Sequence, residues 1–378
     1  MYRTRLSFAL LLAIGLAAGG CSRKEDAVAE SPAPAGEPPA ALAETTAAMP
    51  SGGVAYVSNQ DGGVTVIDLA SMEVQRQLEI GGKGPRGLGI TDDGRTLVTA
   101  NKDDGNISLI DTGSGKLLGQ VAIGKNPEFV RIKGDMAFVS YEPSSKGGPP
   151  PKPGAAVDDD DEEGTVEEPA RVAVVDLKSR RMVNEIVSGP ETEGIEFTPD
   201  GSKLVVTNEA DNTITVHYLG NGKLYRTIPT KAYGDRPRGI KVSPDGSTYV
   251  ATLEYGNKFL VLDADFNPVR TVDTGKSPYG IAFDREGKLI YVAAAKEQKL
   301  QVFDAKTFQK VREVQTGERC WHFTFTPDDK NILLACGRSN EVLLIDKEKF
   351  EVTKRIGDKQ LPWGVVAYPK SAGSLDKP

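Results

Sequence analysis

The hexapeptide PRGLGI at Pro85–Ile90 decides the fold, because six variants of it follow along the chain. They are PEFVRI from Pro127, TEGIEF from Thr192, PRGIKV from Pro237, PYGIAF from Pro278, CWHFTF from Cys320 and PWGVVA from Pro362. Counted on the second residue of each (Arg86, Glu128, Glu193, Arg238, Tyr279, Trp321, Trp363), the steps are 42, 65, 45, 41, 42 and 42 residues. Within a step the same short apolar segments recur. After Arg86 they are Leu88–Ile90, Leu97–Ala100, Ile107–Ile110 and Leu117–Ile123, and Thr91-Asp92-Asp93-Gly94 turns the first into the second. A period of roughly 40 residues built from four short strands is the signature of a β-propeller blade. The expected class is all-β, with four-stranded antiparallel blades.

The flanks of this region set the number of blades. At Gly53 the repeats begin with second-, third- and fourth-type strands (Val54–Ser58, Val64–Asp68, Val74–Ile80) and no first. Gly364–Tyr368 is a first-type strand without a successor. Pairing the two completes a seventh blade and leaves no open sheet edge at the seam. The expectation is a seven-bladed propeller over residues 53–369, followed by a tail at 370–378. An Asp closes the third strand in six repeats (Asp68, Asp111, Asp176, Asp263, Asp304, Asp346). Such a carboxylate can bond to its own backbone two residues on, so the column reads as a turn former.

Arg3 and Arg5 precede an apolar run, Leu6–Ala17, that is too short for a membrane span. Ala18-Gly19-Gly20-Cys21 follows. This pattern resembles a bacterial lipoprotein signal, which implies a signal peptide over 1–20 and acylation of Cys21, palmitate included. Ala18 stands where that family prefers Leu, and ordinary secretion is the alternative. Ser22 after the Cys implies the outer membrane, on its periplasmic face. Two or more acyl chains make a stable anchor. Residues 21–52, rich in Ala, Glu, Pro and Ser, read as a tether.

Without the signal the chain carries 44 basic and 53 acidic residues, a net charge of −9. No basic run with interleaved aromatics is present, so nucleic acid is not an expected partner. The long step contains a Pro- and Gly-rich insert at 143–169 with Asp158–Glu163 in a row. It reads as a solvated, self-repelling loop. A hard-cation site is the other reading, though the alternating ligand spacing of calcium loops is missing.

Chemistry-bearing residues are few. Of two His, His217 sits in a third-strand column otherwise filled by Ile, Val, Leu and Phe, and reads as core. His322 replaces a Gly found at positions 87, 194, 239, 280 and 364 of the inner strands, so it faces or borders the channel. Two His cannot build a His-rich metal centre, and no metal site is expected. Cys320 and Cys336 fall at the far ends of adjacent strands, where a disulfide or two neighbouring thiols are both possible readings. The second-residue column is where function is expected. If the blades superpose, Arg86, Glu128, Glu193, Arg238, Tyr279, Trp321 and Trp363, with His322, ring one mouth of the channel. Two Arg, two Glu and three aromatics suit a small anionic or planar ligand. Mutual pairing of the charges, with the aromatics plugging the pore, is the competing arrangement.

Residues 53–369 resemble the YVTN (YncE-like) family of bacterial β-propellers. The resemblance rests on Tyr56-Val57-Ser58-Asn59, Leu97-Val98-Thr99-Ala100-Asn101, Val205-Val206-Thr207-Asn208, the SPDG turn at Ser243–Gly246 and phrases such as Asn106–Asp111. The wider group is similar to lactonase-type propellers and to the haem domain of propeller nitrite reductases, but no catalytic motif of either matches here residue by residue. Three functions are open: a non-catalytic lipoprotein that binds a small ligand or a periplasmic protein, a lactonase-like hydrolase using channel Glu, Arg and His322, and a haem or quinone carrier or assembly protein. No cofactor is expected under the first, and a monomer is expected throughout.

Overall fold

The computed structural model describes residues 52–142 and 169–377. The expected signal, Cys21, the tether up to residue 51 and the insert at 143–168 lie outside the described residues. Within them are 28 strands in seven four-stranded antiparallel sheets. The protein is a seven-bladed β-propeller.

Closure follows the expected scheme. In blade 1 the strands Val54–Asn59, Val64–Asp68 and Glu73–Leu78 are joined on the inside by Pro362–Tyr368. Val54 pairs with Tyr368, Ala55 with Ala367, Tyr56 with Val366 and Val57 with Val365. The inner strands of blades 2 to 7 are Pro85–Ile90, Val130–Lys133, Thr192–Phe197, Pro237–Val242, Pro278–Phe283 and Cys320–Phe325.

Burial falls off outward across each blade for a geometric reason. Neighbouring sheets pack face to face, so the middle strands are covered on both sides and tolerate only apolar or hydrogen-bonded residues. Thr248–Leu253 is buried along almost its whole length, whereas the outer strand Glu351–Ile356 alternates exposed and half-buried. The apolar clusters accordingly interleave pairs of blades: Ile332, Leu334 and Leu343 with Tyr291 and Leu300, or Leu333 and Ala335 with Ala55 and Val365.

The Asp column forms turns as expected. Asp68 accepts the Ala70 and Ser71 amides, both at 2.8 Å, and Asp304 accepts Lys306 and Thr307 at 3.0 and 2.7 Å. Those donated amides hold Asp68, Asp111, Asp176 and Asp304 below the usual carboxylate range. Blade 4 places Tyr218 at this position instead. In the turn after the inner strands of blades 2, 4, 5 and 6, Gly94, Gly201, Gly246 and Gly287 have φ between 66° and 77°, the left-handed region that suits Gly. His217 is buried inside blade 4 and burial lowers its basicity, as a core position requires.

Cys320 and Cys336 are direct ladder partners and form a disulfide. The bond closes a loop of sequence separation 16. Replacing both by Ala is expected to lower unfolding free energy by about 3 kcal/mol without changing the fold. Urea titration of the oxidised wild type against the double variant checks this.

After Tyr368 the chain turns into the channel. Phe325 N–H donates to Ala372 O at 2.9 Å and Ser374 N–H to Phe323 O at 2.9 Å, so residues 372–374 add to the free inner edge of blade 7. Arg131 Nη1 donates to Leu375 O at 2.9 Å, and the Leu375 side chain is 1% exposed. The expected tail is an internal strut.

Candidate functional site

A bulge and a hydroxyl staple aim the second-residue column inward. In blades 2, 4, 5, 6 and 7 the ladder between the first and second strands slips just after the first residue of the inner strand. Such a slip re-aims the side chain at that point. A Ser or Thr on the second strand then bridges two blades. Thr207 Oγ1 accepts Gly194 N–H at 2.7 Å and donates to Arg238 O at 2.5 Å, and Thr252 Oγ1 accepts Gly239 N–H at 3.0 Å and donates to Tyr279 O at 2.7 Å. Ser58 does the same between Gly364 N–H and Arg86 O, at 3.0 and 2.5 Å. The Gly column is required by this approach. A Cβ on Gly87, Gly194 or Gly280 would sit 2.4 Å from the carbonyl oxygen of the next blade's column residue.

The structure brings all eight expected residues to one end of the channel. Glu128, Glu193, Arg238, Tyr279, His322 and Trp363 are buried, and Arg86 and Trp321 are partly exposed at the rim. The charges pair. Arg86 Nη1 lies 2.5 Å from Glu128 Oε1, and Arg86 Nε donates to Gln60 at 3.0 Å. Arg238 is engaged on every nitrogen: Nε with Glu254 at 2.6 Å, Nη1 with Glu193 at 2.6 Å and Tyr279 Oη at 2.9 Å, Nη2 with Glu209 at 2.7 Å. Its guanidinium also lies over the Tyr279 ring, 4.5 Å from the centroid. The fork expected to meet a ligand is thus committed to the protein's own carboxylates.

Beneath this layer the channel is closed by rings. His322 lies 4.3 Å from Trp363, 5.3 Å from Tyr279 and 6.0 Å from Phe129, centroid to centroid. Phe129 and His322 are the two departures from the Gly column, and they meet across the channel. Burial holds the His322 imidazole neutral, its pKa well below the usual value, and Ser374 Oγ sits 3.1 Å from its Nδ1.

Glu128 titrates close to neutrality at the mouth. Burial pushes its pKa up to about 7, against the opposing pull of Arg86. A carboxyl whose folded pKa exceeds its unfolded value contributes stability that is fully present below the unfolded value and lost as pH rises through the folded one. Melting temperature is therefore expected to fall between pH 5 and pH 8, and Glu128→Gln to flatten that decline. Glu209, raised by burial in the same way, retains part of the slope.

Glu209, Glu254, Arg236 and Arg319 belong to the site and were not among the expected residues. Glu209 and Glu254 occupy the position just after the second strand, which reads Gln60, Lys102, Glu142, Glu209, Glu254, Ala295 and Gly337 around the ring. Five polar residues in one loop column were the available signal. Arg236 pairs with Glu209, and Arg319 Nη1 lies 3.7 Å from Glu254 with no hydrogen-bond partner. Trp321 lies flat against Gly337, where a Cβ would fall 1.8 Å from the indole.

No family model matches the chain, and no curated protein matches it. Solved structures do. A Desulfotomaculum acetoxidans protein of unknown function superposes with TM-score 0.68 at 15% identity, over 83% of this chain and 98% of that one. The Pseudomonas aeruginosa periplasmic gluconolactonase PpgL gives 0.65 at 18%, over 83% and 98%. Dihydro-haem d1 dehydrogenase NirN gives 0.58 at 17%, over 82% and 66%. These likenesses show the fold alone.

Proposed function

We propose that this is a lipid-anchored, periplasm-facing propeller of the YncE-like kind, whose channel mouth binds a small ligand or a partner protein without turning it over. The supporting observation is where bonding capacity remains. The buried Arg238 and its three carboxylates pair with one another and His322 lies neutral under rings, so Glu128 is the one expected mouth residue poised for proton transfer near neutrality. Capacity is left in Arg319 Nη1, buried 3.7 Å from Glu254 without a hydrogen bond, and in the partly exposed Trp321. A guanidinium and an indole at one channel mouth suit a planar or anionic group.

Both tryptophans of the chain, Trp321 and Trp363, are at the mouth, so intrinsic fluorescence reports on it directly. The deciding experiment is capture of the lipidated protein with its envelope neighbours, followed by fluorescence titration of what is recovered. Gly337→Ala is expected to displace the Trp321 ring, shift the emission and weaken binding roughly tenfold, with the fold retained. Unchanged emission and affinity in that variant would remove Trp321 from the site. A Cys21→Ala chain that fractionates with membranes like the wild type would remove the anchor.

A lactonase-like activity is the second reading. It draws on Glu128, a carboxyl poised near neutrality beside Arg86, and on the likeness to a protein named a gluconolactonase. Lactone opening by the purified protein that disappears in Glu128→Gln would favour it over simple binding.

A further inference from the structure

Unsatisfied polar atoms gather in the channel below the rings. Arg131, Glu196 and Lys241 are the fifth residues of three successive repeats of the hexapeptide. Arg131 Nη2 lies 2.8 Å from Glu196 Oε1, and Lys241 Nζ lies 3.5 Å from Glu196 Oε2. Lys241 Nζ, Glu196 Oε2, Arg131 Nε and Asp376 Oδ2 have no hydrogen-bond partner, though each residue is more than nine-tenths buried. Leaving such groups unpaired is costly, more so when they are charged. Lys241 and Asp376 line a common cavity of about 200 Å³, walled by Val242, Ala282, Phe283 and Ala372. That is below the roughly 300–1,000 Å³ of sites for drug-sized ligands, so its occupant is small.

The donors and acceptors define the occupant. An ammonium with three donors requires an acceptor, and the facing carboxylate oxygen requires a donor. The rest of the lining combines an apolar side (Val242, Pro244, Ala282, Phe283, Ala372) with Asp284, Arg285 and Lys377, whose two cations add to the preference for an anion. Among the nearby carboxylates, Asp284 already accepts the Lys288 and Leu289 amides at 2.7 and 3.1 Å, and Arg131 neutralises Glu196. We propose that this cavity is a second ligand site, distinct from the mouth, that takes a short-chain hydroxycarboxylate: carboxylate on Lys241 Nζ, hydroxyl donating to Asp376 Oδ2, carbon chain against Ala282 and Phe283. Burial and then Arg131 push the Lys241 pKa down to about 7, so a bound anion compensates an ammonium that the fold itself leaves undersupplied. The C-terminal segment supplies one wall and one of the two polar contacts.

Calorimetric titration of the full chain with 3-hydroxybutanoate and with butanoate tests the site. The hydroxy acid is expected to bind and butanoate to bind roughly tenfold more weakly, the value of one lost hydrogen bond to a charged group. Lys241→Met is expected to abolish binding of both, and Asp376→Ala to make the two acids equal. Ala282→Leu fills the cavity while leaving both polar groups in place, and is expected to abolish binding in a protein that melts like the wild type. Three results would overturn the proposal: no heat with 3-hydroxybutanoate at roughly 10 mM, ten times the Kd of a millimolar complex; undiminished binding in Ala282→Leu; or loss of binding in Gly337→Ala, which acts at the mouth.

Discussion

A chain cut after Leu361 is expected to lose its cooperative melt and to aggregate, because the cut opens the ring and empties its centre at once. Val54–Asn59 would become an edge strand, although every residue of it is buried in the closed ring. Trp363, Val365, Val366 and Leu375 would leave the core. At about 1.5–3 kcal/mol for each large buried apolar side chain, four of them approach the roughly 5–15 kcal/mol that a domain has in total. The exposed edge begins with the apolar run Val54–Val57, the kind that recruits other chains. Size-exclusion chromatography and a thermal scan read the result. A truncated chain that elutes and melts like the intact one would contradict this closure.

Arg238→Ala is expected to cost about 3–5 kcal/mol of stability, the range for removing one partner from a buried ion pair. Glu193, Glu209 and Glu254 would be left facing one another, with Arg236, Arg86 and the more distant Arg319 as the remaining cations nearby. The loss is expected to depend on pH in a definite direction. Without the guanidinium the buried carboxyls rise in pKa, and groups raised by burial contribute stability at low pH that is lost as pH increases. The gap between variant and wild type should therefore be smaller at pH 5 than at pH 8, as denaturant titration at the two values would reveal. Arg238→Lys restores charge without the planar fork and is expected to recover only part of the loss. A variant as stable as the wild type at pH 8 would mean that Arg238 is not what holds these carboxylates.

The architecture was legible because blade geometry imposes a strict period, and the period survives in turn residues and in the Gly column even where the strands diverge. Placement of the second-residue column was legible for the same reason. What those side chains do there was not, because the partners that consume Arg238 lie in another column: Glu209 and Glu254 follow the second strand and meet Arg238 only through packing between blades. The lower tier had a visible trace, a second charge at the fifth position of three consecutive hexapeptides (Arg131, Glu196, Lys241). The inward course of 370–377 had none. Lys-Ser-Ala-Gly-Ser-Leu-Asp-Lys carries no periodicity, and its fit comes from the inner edge of blade 7 and from Arg131, both provided by distant parts of the chain.

The seam also decides from which side the ring can be held. Val54 pairs with Tyr368, five residues and about 17 Å along the inner strand from Trp363 at the mouth. The polypeptide therefore enters the propeller on the face opposite its ring of Arg, Glu and aromatic side chains. A capture tag joined directly ahead of Gly53 attaches to that opposite face and leaves the mouth open to solution. A tag joined after Lys377 starts inside the lower channel, against Lys241 and Glu196, so immobilisation from that side would disturb the cavity it was meant to probe.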